Sequence, residues 1–253
     1  MAIPWTVKKQ LTFLSVFILI VAAGMLLVFI SLNKPTCFDG KQNQAEEGID
    51  CGGPCQPCLG KIRDIIVVWS KVFKLDNGKY EAAALIRNPN LSLALPFVKY
   101  KIKLYDRKNI LVAVREGETF INPGGEYVLF ETNIDAGERS PVKAFVEFDK
   151  NLKWKKIERE IPQIVVSNKS FTPLPSPRLS AEISNTSIFP IEGIFAAAVV
   201  YDKDGNAVAV SSTKIKSIKG KSSYPVVFTW PTPFEKEVVS SRIFLRVNLT
   251  HEK

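Results

Sequence analysis

Histidine is nearly absent: the 253 residues contain one, His251. A Ser–His–Asp relay would have to be built on it near the last residue of the sequence, on a segment expected to fray, so that arrangement is not expected. No Gly-rich phosphate loop and no His-Glu-x-x-His occurs. Carboxylate pairs such as Glu116 with Glu118, or Glu158 with Glu160, read as solvated strand faces. Acidic residues are missing from 1–33, which hold only two Lys, and Cys is missing everywhere except 37–58. No amphipathic helix of useful length follows residue 33. The averages are ordinary, 46% hydrophobic and 23% charged, which excludes a disordered or collagen-like chain. The formal charge is +9. The Lys are dispersed, with small clusters at Lys153, Lys155, Lys156 and at Lys214, Lys216, Lys219, Lys221. They read as a soluble sheet surface, with no nucleic-acid partner.

The one long hydrophobic run is Leu11 to Leu32, LTFLSVFILIVAAGMLLVFISL. As a helix rising about 1.5 Å per residue it spans a hydrocarbon core of about 30 Å and satisfies its own backbone. A cleaved signal peptide would have a shorter apolar region and a small-residue exit, which Phe29-Ile30-Ser31-Leu32-Asn33-Lys34-Pro35 does not provide. Residues 1–33 are therefore expected to be a cytoplasmic tip and an uncleaved signal anchor. Lys8 and Lys9 place the N-terminus inside and the rest outside, with residues 11–32 in the membrane.

Residues 37–58 read CFDGKQNQAEEGIDCGGPCQPC. Gly and Pro break any regular structure, and so short a stretch needs a covalent or metal staple. In a reducing compartment Cys37, Cys51, Cys55 and Cys58 suit a structural zinc. Outside the cytoplasm they make two disulfides, with three pairings open, and the anchor's topology selects this. Asp39, Asn43, Glu46 and Asp50 are weak calcium candidates. Their spacing is not that of an EF-hand, and Asx turn chemistry accounts for such residues equally. The pattern Cys-x-Asp-Gly-x-x-Asn-x-x-Glu-x-x-x-Asp-Cys-Gly-Gly-x-Cys-x-x-Cys resembles a short Cys-rich motif of bacterial surface and secreted proteins, which implies an extracytoplasmic setting.

The remainder repeats at an offset of about 97. Ala84-Leu85-Ile86-Arg87-Asn88-Pro89 matches Ala181-Glu182-Ile183-Ser184-Asn185-Thr186, and Ile102-Lys103-Leu104-Tyr105-Asp106-Arg107 matches Ala198-Val199-Val200-Tyr201-Asp202-Lys203. Short apolar or alternating runs separated by turns such as Asp76-Asn77-Gly78 and Asp202-Lys203-Asp204-Gly205-Asn206 predict antiparallel β-sandwiches. Expected strands include Leu111–Arg115 and Ala207–Ser212. Asn151–Glu160 reads as an edge strand or linker. At Leu104-Tyr105-Asp106 and Val200-Tyr201-Asp202 the copies resemble FxLYD-type domains, which are similar to the β-sandwich of LEA type 2 proteins. The resemblance implies membrane-proximal Ig-like modules without catalytic residues. It makes Tyr105, Asp106, Tyr201 and Asp202 structural, the ring capping a core edge and the carboxylate organising the turn.

The sequence thus predicts a mainly β protein: a transmembrane anchor, a Cys-rich knot over 34–60, and two tandem antiparallel Ig-like sandwiches over 61–160 and 161–253. Placed end to end, these would project about 80 Å at 3.3 Å per strand residue. The expected function is non-enzymatic, without cofactor: a binding or spacer module of the cell envelope facing a protein or envelope partner. The alternatives are an accessory subunit of a membrane complex, with Ala22, Ala23 and Gly24 as a helix-packing face, and an envelope enzyme with an unrecognised site. Sequons occur at Asn90, Asn168, Asn185 and Asn248.

Overall fold

The computed structural model describes residues 5–32, 36–56, 58, 62–157, 161–173 and 175–250. His251 and the pair Glu158 and Glu160 lie outside them. The chain is mainly β, with one N-terminal apolar helix, and divides into two compact units, Met1–Cys58 and Leu59–Lys253.

In the first unit α1 (Trp5–Leu32) runs for 28 residues, about 42 Å at 1.5 Å per residue. Phe13, Phe17, Leu19, Ile20 and Met25 are all exposed along it. It is long and apolar enough to cross a membrane, a test that a signal sequence also passes. Among its described residues the Cys-rich segment after it has one element of regular pairing, a bridge between Gly48 and Cys51. Two disulfides, Cys37–Cys55 and Cys51–Cys58, hold it and choose one of the three open pairings. Its backbone folds so tightly that a Cβ at Gly53, where φ is +54°, would sit 2.5 Å from the Ala45 carbonyl oxygen.

In the second unit the strands are β1 (Ile66–Lys74), β2 (Tyr80–Arg87), β3 (Leu93–Tyr105), β4 (Leu111–Ile121), β5 (Glu126–Ile134), β6 (Lys143–Phe148) and the two-residue β7 (Lys155–Lys156). They continue as β8 (Ile164–Thr172), β9 (Arg178–Asn185), β10 (Ile191–Tyr201), β11 (Ala207–Ile218), β12 (Ser222–Thr229) and β13 (Ser240–Arg246). The sheets are antiparallel, with orders β1-β2-β5, β4-β3-β6, β12-β9-β8 and β11-β10-β13. Adding seven to each label of the first two orders reproduces the other two. β4 and β11 each run six residues past the expected ends at Arg115 and Ser212, because their second halves pair with the early residues of β3 and β10. Of Asn151–Glu160, the described residues contribute β7, which pairs with β3, and Trp154, which is buried in the first core.

The sheets stack in four layers around three cores. The first core takes Ala82, Ala84 and Ile86 of β2 with Ile102 and Leu104 of β3, so it lies between β1-β2-β5 and β4-β3-β6. The second takes Ile183 of β9, Ala198 and Val200 of β10 and Phe228 of β12, between the other two sheets. The third joins Ala83, Leu85 and Val128 to Ala197, Val199, Val210 and Phe244. Successive side chains on a strand point to opposite faces. The unbroken runs Ala82-Ala83-Ala84-Leu85-Ile86 and Ala196-Ala197-Ala198-Val199-Val200 therefore fill a core on each side, and both inner sheets are buried on both faces. The two sheet pairs consequently sit face to face, and the expected end-to-end projection of about 80 Å does not occur. The strand β3 instead alternates, with Ile102 and Leu104 inward and Lys101 and Lys103 outward. The outer lysines pair across the sheet with Glu116 at 2.6 Å and Glu147 at 2.7 Å.

Candidate functional site

Two buried asparagines shape the strand ends. Asn185, 1% exposed, donates through its amide to the carbonyls of Phe189 at 2.8 Å, Ile218 at 3.1 Å and Lys219 at 3.2 Å. It thereby ties the β9–β10 loop to the β11–β12 turn. Asn88 makes the corresponding staple in the first set of strands, donating to Leu93 O at 2.7 Å and Asn122 O at 2.9 Å. The β11–β12 turn then crosses so close to the loop that a Cβ on Gly220 would stand 2.1 Å from the Ile188 carbonyl oxygen. Lys221 follows in the left-handed region at φ +54°, strained for a lysine. It is held there by its N–H on Ser187 O at 2.9 Å and by its ammonium on Thr186 O.

This arrangement walls a cleft of about 1350 Å³. Its floor is the face of β10 and β11 at Phe195, Lys214 and Lys216, beyond the part that the first sheet pair covers. Phe120 of β4, Val247 and Leu249 close one side. Ile188 and Phe189 of the loop, with Ile161 of the connecting segment, stand at the other, each more than two-thirds exposed. Three ammonium groups line the cleft, Lys214, Lys216 and Lys221, against one carboxylate, Glu192. Among the described residues no carboxylate forms an ion pair with any of the three. Lys214 Nζ lies 5.0 Å from the centre of the Phe195 ring.

Behind the cleft Arg246 of β13 is caged by aromatic faces, its guanidinium 4.7 Å from Phe120, 5.2 Å from Phe195 and 5.7 Å from Tyr127. Its polar partners are neutral: Thr119 Oγ1 at 2.7 Å and the Phe120 carbonyl at 3.2 Å. Burial pushes its pKa down from the usual value, yet a guanidinium keeps its charge in proteins. Burial also raises the neighbouring Tyr100 and Tyr127 phenols, so both stay neutral at physiological pH. Tyr100 donates to the Glu131 carboxylate at 2.7 Å, so a guanidinium and a carboxylate both border this aromatic corner.

The residues singled out in the sequence lie elsewhere. Asp106 Oδ1 accepts the N–H groups of Lys108 and Ile110, both at 2.9 Å, and its Oδ2 meets Arg139 at 2.8 Å. Asp202 Oδ1 accepts from Asp204 and Asn206 at 3.0 and 2.8 Å, and its Oδ2 meets Lys236 at 3.1 Å. The backbone N–H of Asn206 is the largest cause holding the Asp202 carboxyl at about 2, with Lys236 adding to it. The backbone N–H of Ile110, with Arg139, lowers Asp106. Tyr201 packs partly buried against the third core, and Tyr105 lines a groove beside Ser70 and Phe145.

In the Cys-rich segment the acidic groups bind backbone. Asp50 accepts from Asp39 and Gly40, Glu46 from Asn43 and Asp50, and Asp39 from Thr36 and Lys41. Asn43 donates to Asp39 Oδ2 at 2.9 Å, and its own Oδ1 is buried without a partner. Among the described residues the group with ligand atoms close enough for a metal is Cys37, Glu46 and Cys55, in which the two sulfurs are joined to each other. Of the sequons, Asn90 and Asn185 are buried and spent in hydrogen bonds.

Sequence reasoning took the Lys214–Lys221 cluster as plain surface and did not mark Ile161, Ile188 and Phe189. The available signal was Ile188-Phe189 itself, two large apolar residues in a tight turn where polar ones are usual.

No family model matches the chain, and no curated protein matches it. Among solved structures, red sea bream transglutaminase is similar over 76% of this chain and 32% of its own, at 10% identity and a TM-score of 0.21. The chain thus spans about a third of that structure's length.

Proposed function

We propose that this is a membrane-anchored, non-catalytic binding protein whose ligand site is the lysine-rimmed cleft beside β10 and β11. The observation that carries the reading is the meeting of three ammonium groups, without a carboxylate partner among the described residues, with exposed Ile161, Ile188 and Phe189 in one concave site. Large exposed apolar side chains cost free energy in water and mark interaction surfaces when they cluster. The helix α1 anchors the chain, with Lys8 and Lys9 on the cytoplasmic side. The two disulfides suit an oxidising, extracytoplasmic position for the residues beyond the helix. Residues 62–250 are read as two tandem copies of one Ig-like sandwich, similar to FxLYD and LEA type 2 domains. Support comes from the matching strand orders, from the paired staples Asn88 and Asn185, and from the paired turn carboxylates Asp106 and Asp202. A body with its layers stacked face to face suits presenting a site better than bridging a distance.

Alkaline carbonate extraction tests the anchor, and protease added to intact cells tests the side. The chain should stay in the membrane pellet, and the β unit should be cut from outside. Recovery in the carbonate supernatant, or full protection in intact cells, would overturn the reading.

A further inference from the structure

We infer that the cleft takes an anionic phospholipid, a reading that rests on its being a binding site at all. Three properties point to this ligand chemistry. First, cationic groups outnumber anionic ones in the lining: Lys214, Lys216 and Lys221 form no ion pair with a carboxylate among the described residues, against the single carboxylate of Glu192, and the Arg246 guanidinium lies against the lining ring of Phe195. A phosphate diester accepts from several ammonium groups at once. Second, the walls are apolar, with Phe120, Phe195, Ile188 and Phe189 facing the space, and the mouth residues are exposed rather than folded away. An acyl chain would cover them, while the lysine stems lie along the same surface with their ammonium groups at the head. Third, the volume of about 1350 Å³ exceeds the range of about 300–1000 Å³ that suits drug-sized ligands.

An acidic peptide is the competing occupant, and the floor disfavours it. Phe195 and Lys214 pair with each other across β10 and β11, so the floor at this register is a sheet face, while the unpaired edge of β11 belongs to the end of its sheet. An extended peptide gains its affinity mainly from a free strand edge, and this floor offers side chains.

The test uses the full chain in nanodiscs doped with phosphatidylglycerol or phosphatidylcholine bearing a diazirine on one acyl chain, with crosslinks mapped by mass spectrometry. The phosphatidylglycerol probe should label residues 187–195 as well as α1, and the phosphatidylcholine probe should label α1 alone. Charge reversal in Lys214→Glu/Lys216→Glu/Lys221→Glu should cut cleft labelling at least about tenfold, since each lysine near an anionic head is a substantial attraction. Labelling of α1 is the internal control. Lys216→Gln, a single exposed change, should give a smaller loss and keeps the test valid if the triple variant unfolds. A photoreactive palmitate and a photoreactive Glu-rich peptide complete the set. Labelling of 187–195 by either of these but not by phosphatidylglycerol would overturn the phospholipid and leave a binding cleft. Labelling confined to α1 with every probe would overturn both.

Discussion

Arg246 Nη1 donates to Thr119 Oγ1 at 2.7 Å, so the last strand of the chain is held to β4, 127 residues earlier. The same guanidinium lies against Phe120, Tyr127 and Phe195, whose rings come from both sheet pairs. A half-buried cation facing aromatic rings and neutral oxygens from both sheet pairs is well placed to hold the two pairs together. Replacing Arg246 with Met removes the charge and its hydrogen bonds but keeps much of the volume. The expected loss is about 2–4 kcal/mol, read as a fall in the melting temperature of the detergent-solubilised chain followed by tryptophan fluorescence. An unchanged melting point would mean that the cage contributes no stability.

The third core makes a sharper prediction. Because Ala197 and Val199 pack against Ala83 and Leu85, the second unit should melt in one transition. Ala197→Glu places a charge between the inner sheets, where an unpaired buried charge costs at least about 3 kcal/mol. Two separate transitions should then appear by calorimetry. Two transitions in the unaltered chain would show that the shared core does not couple the sheet pairs.

Acid should weaken the fold through the turn carboxylates. Asp202 is held at about 2 by the Asn206 N–H and by Lys236, and Asp106 is lowered in the same way. A carboxylate depressed in the folded state stabilises above its unfolded value, near 3.8, and that stability is lost as the pH falls towards the folded value. Asp202→Asn should melt lower than the unaltered chain at pH 7, with the gap closing between pH 4 and pH 2. A constant gap over that window would remove Asp202 from the acid response.

The disulfides are directly checkable. Non-reducing digestion should give peptides joining Cys37 to Cys55 and Cys51 to Cys58. Losing either bridge should cost that small unit about 2–4 kcal/mol, seen as rapid proteolysis between 36 and 56. A peptide joining Cys51 to Cys55 would refute the pairing.

Asn185→Ala removes the staple at the cleft wall and leaves the carbonyls of Phe189, Ile218 and Lys219 without that donor. A cost of about 1–3 kcal/mol is expected for such a buried group. Cleft labelling by any probe that binds there should fall with it, whereas Asn88→Ala should lower the melting point and spare the labelling. Equal effects of both variants on labelling would place the ligand away from the β9–β10 loop.

Much of the strand layout was legible. The strand starts at Leu111 and Ala207 follow from turn residues and apolar runs, because both signals are local. The extensions of β4 and β11 past Arg115 and Ser212 were not legible, since Glu116, Glu118, Lys214 and Lys216 read as solvated surface, and only a partner strand lying beside them sets how far the strand runs. The cleft was hidden for a similar reason. Lys214 and Lys216 read as a solubilising surface, and only Phe120, 94 positions before Lys214, makes a concave wall beside them.

The sequence alone determined what depends on neighbouring residues: an apolar helix fixed by an uncharged run, a Cys-stapled segment too small for a core, β strands set by alternation and turns, and Tyr–Asp turns repeated at one spacing. Tertiary structure alone decided which cysteines pair, and that the alanine-rich runs of β2 and β10 face each other to make four layers from two pairs. It also decided where one sheet overhangs the next to leave a basic, apolar cleft. These outcomes depend on which distant faces lose water together, and that is a property of the folded surface that no local pattern encodes.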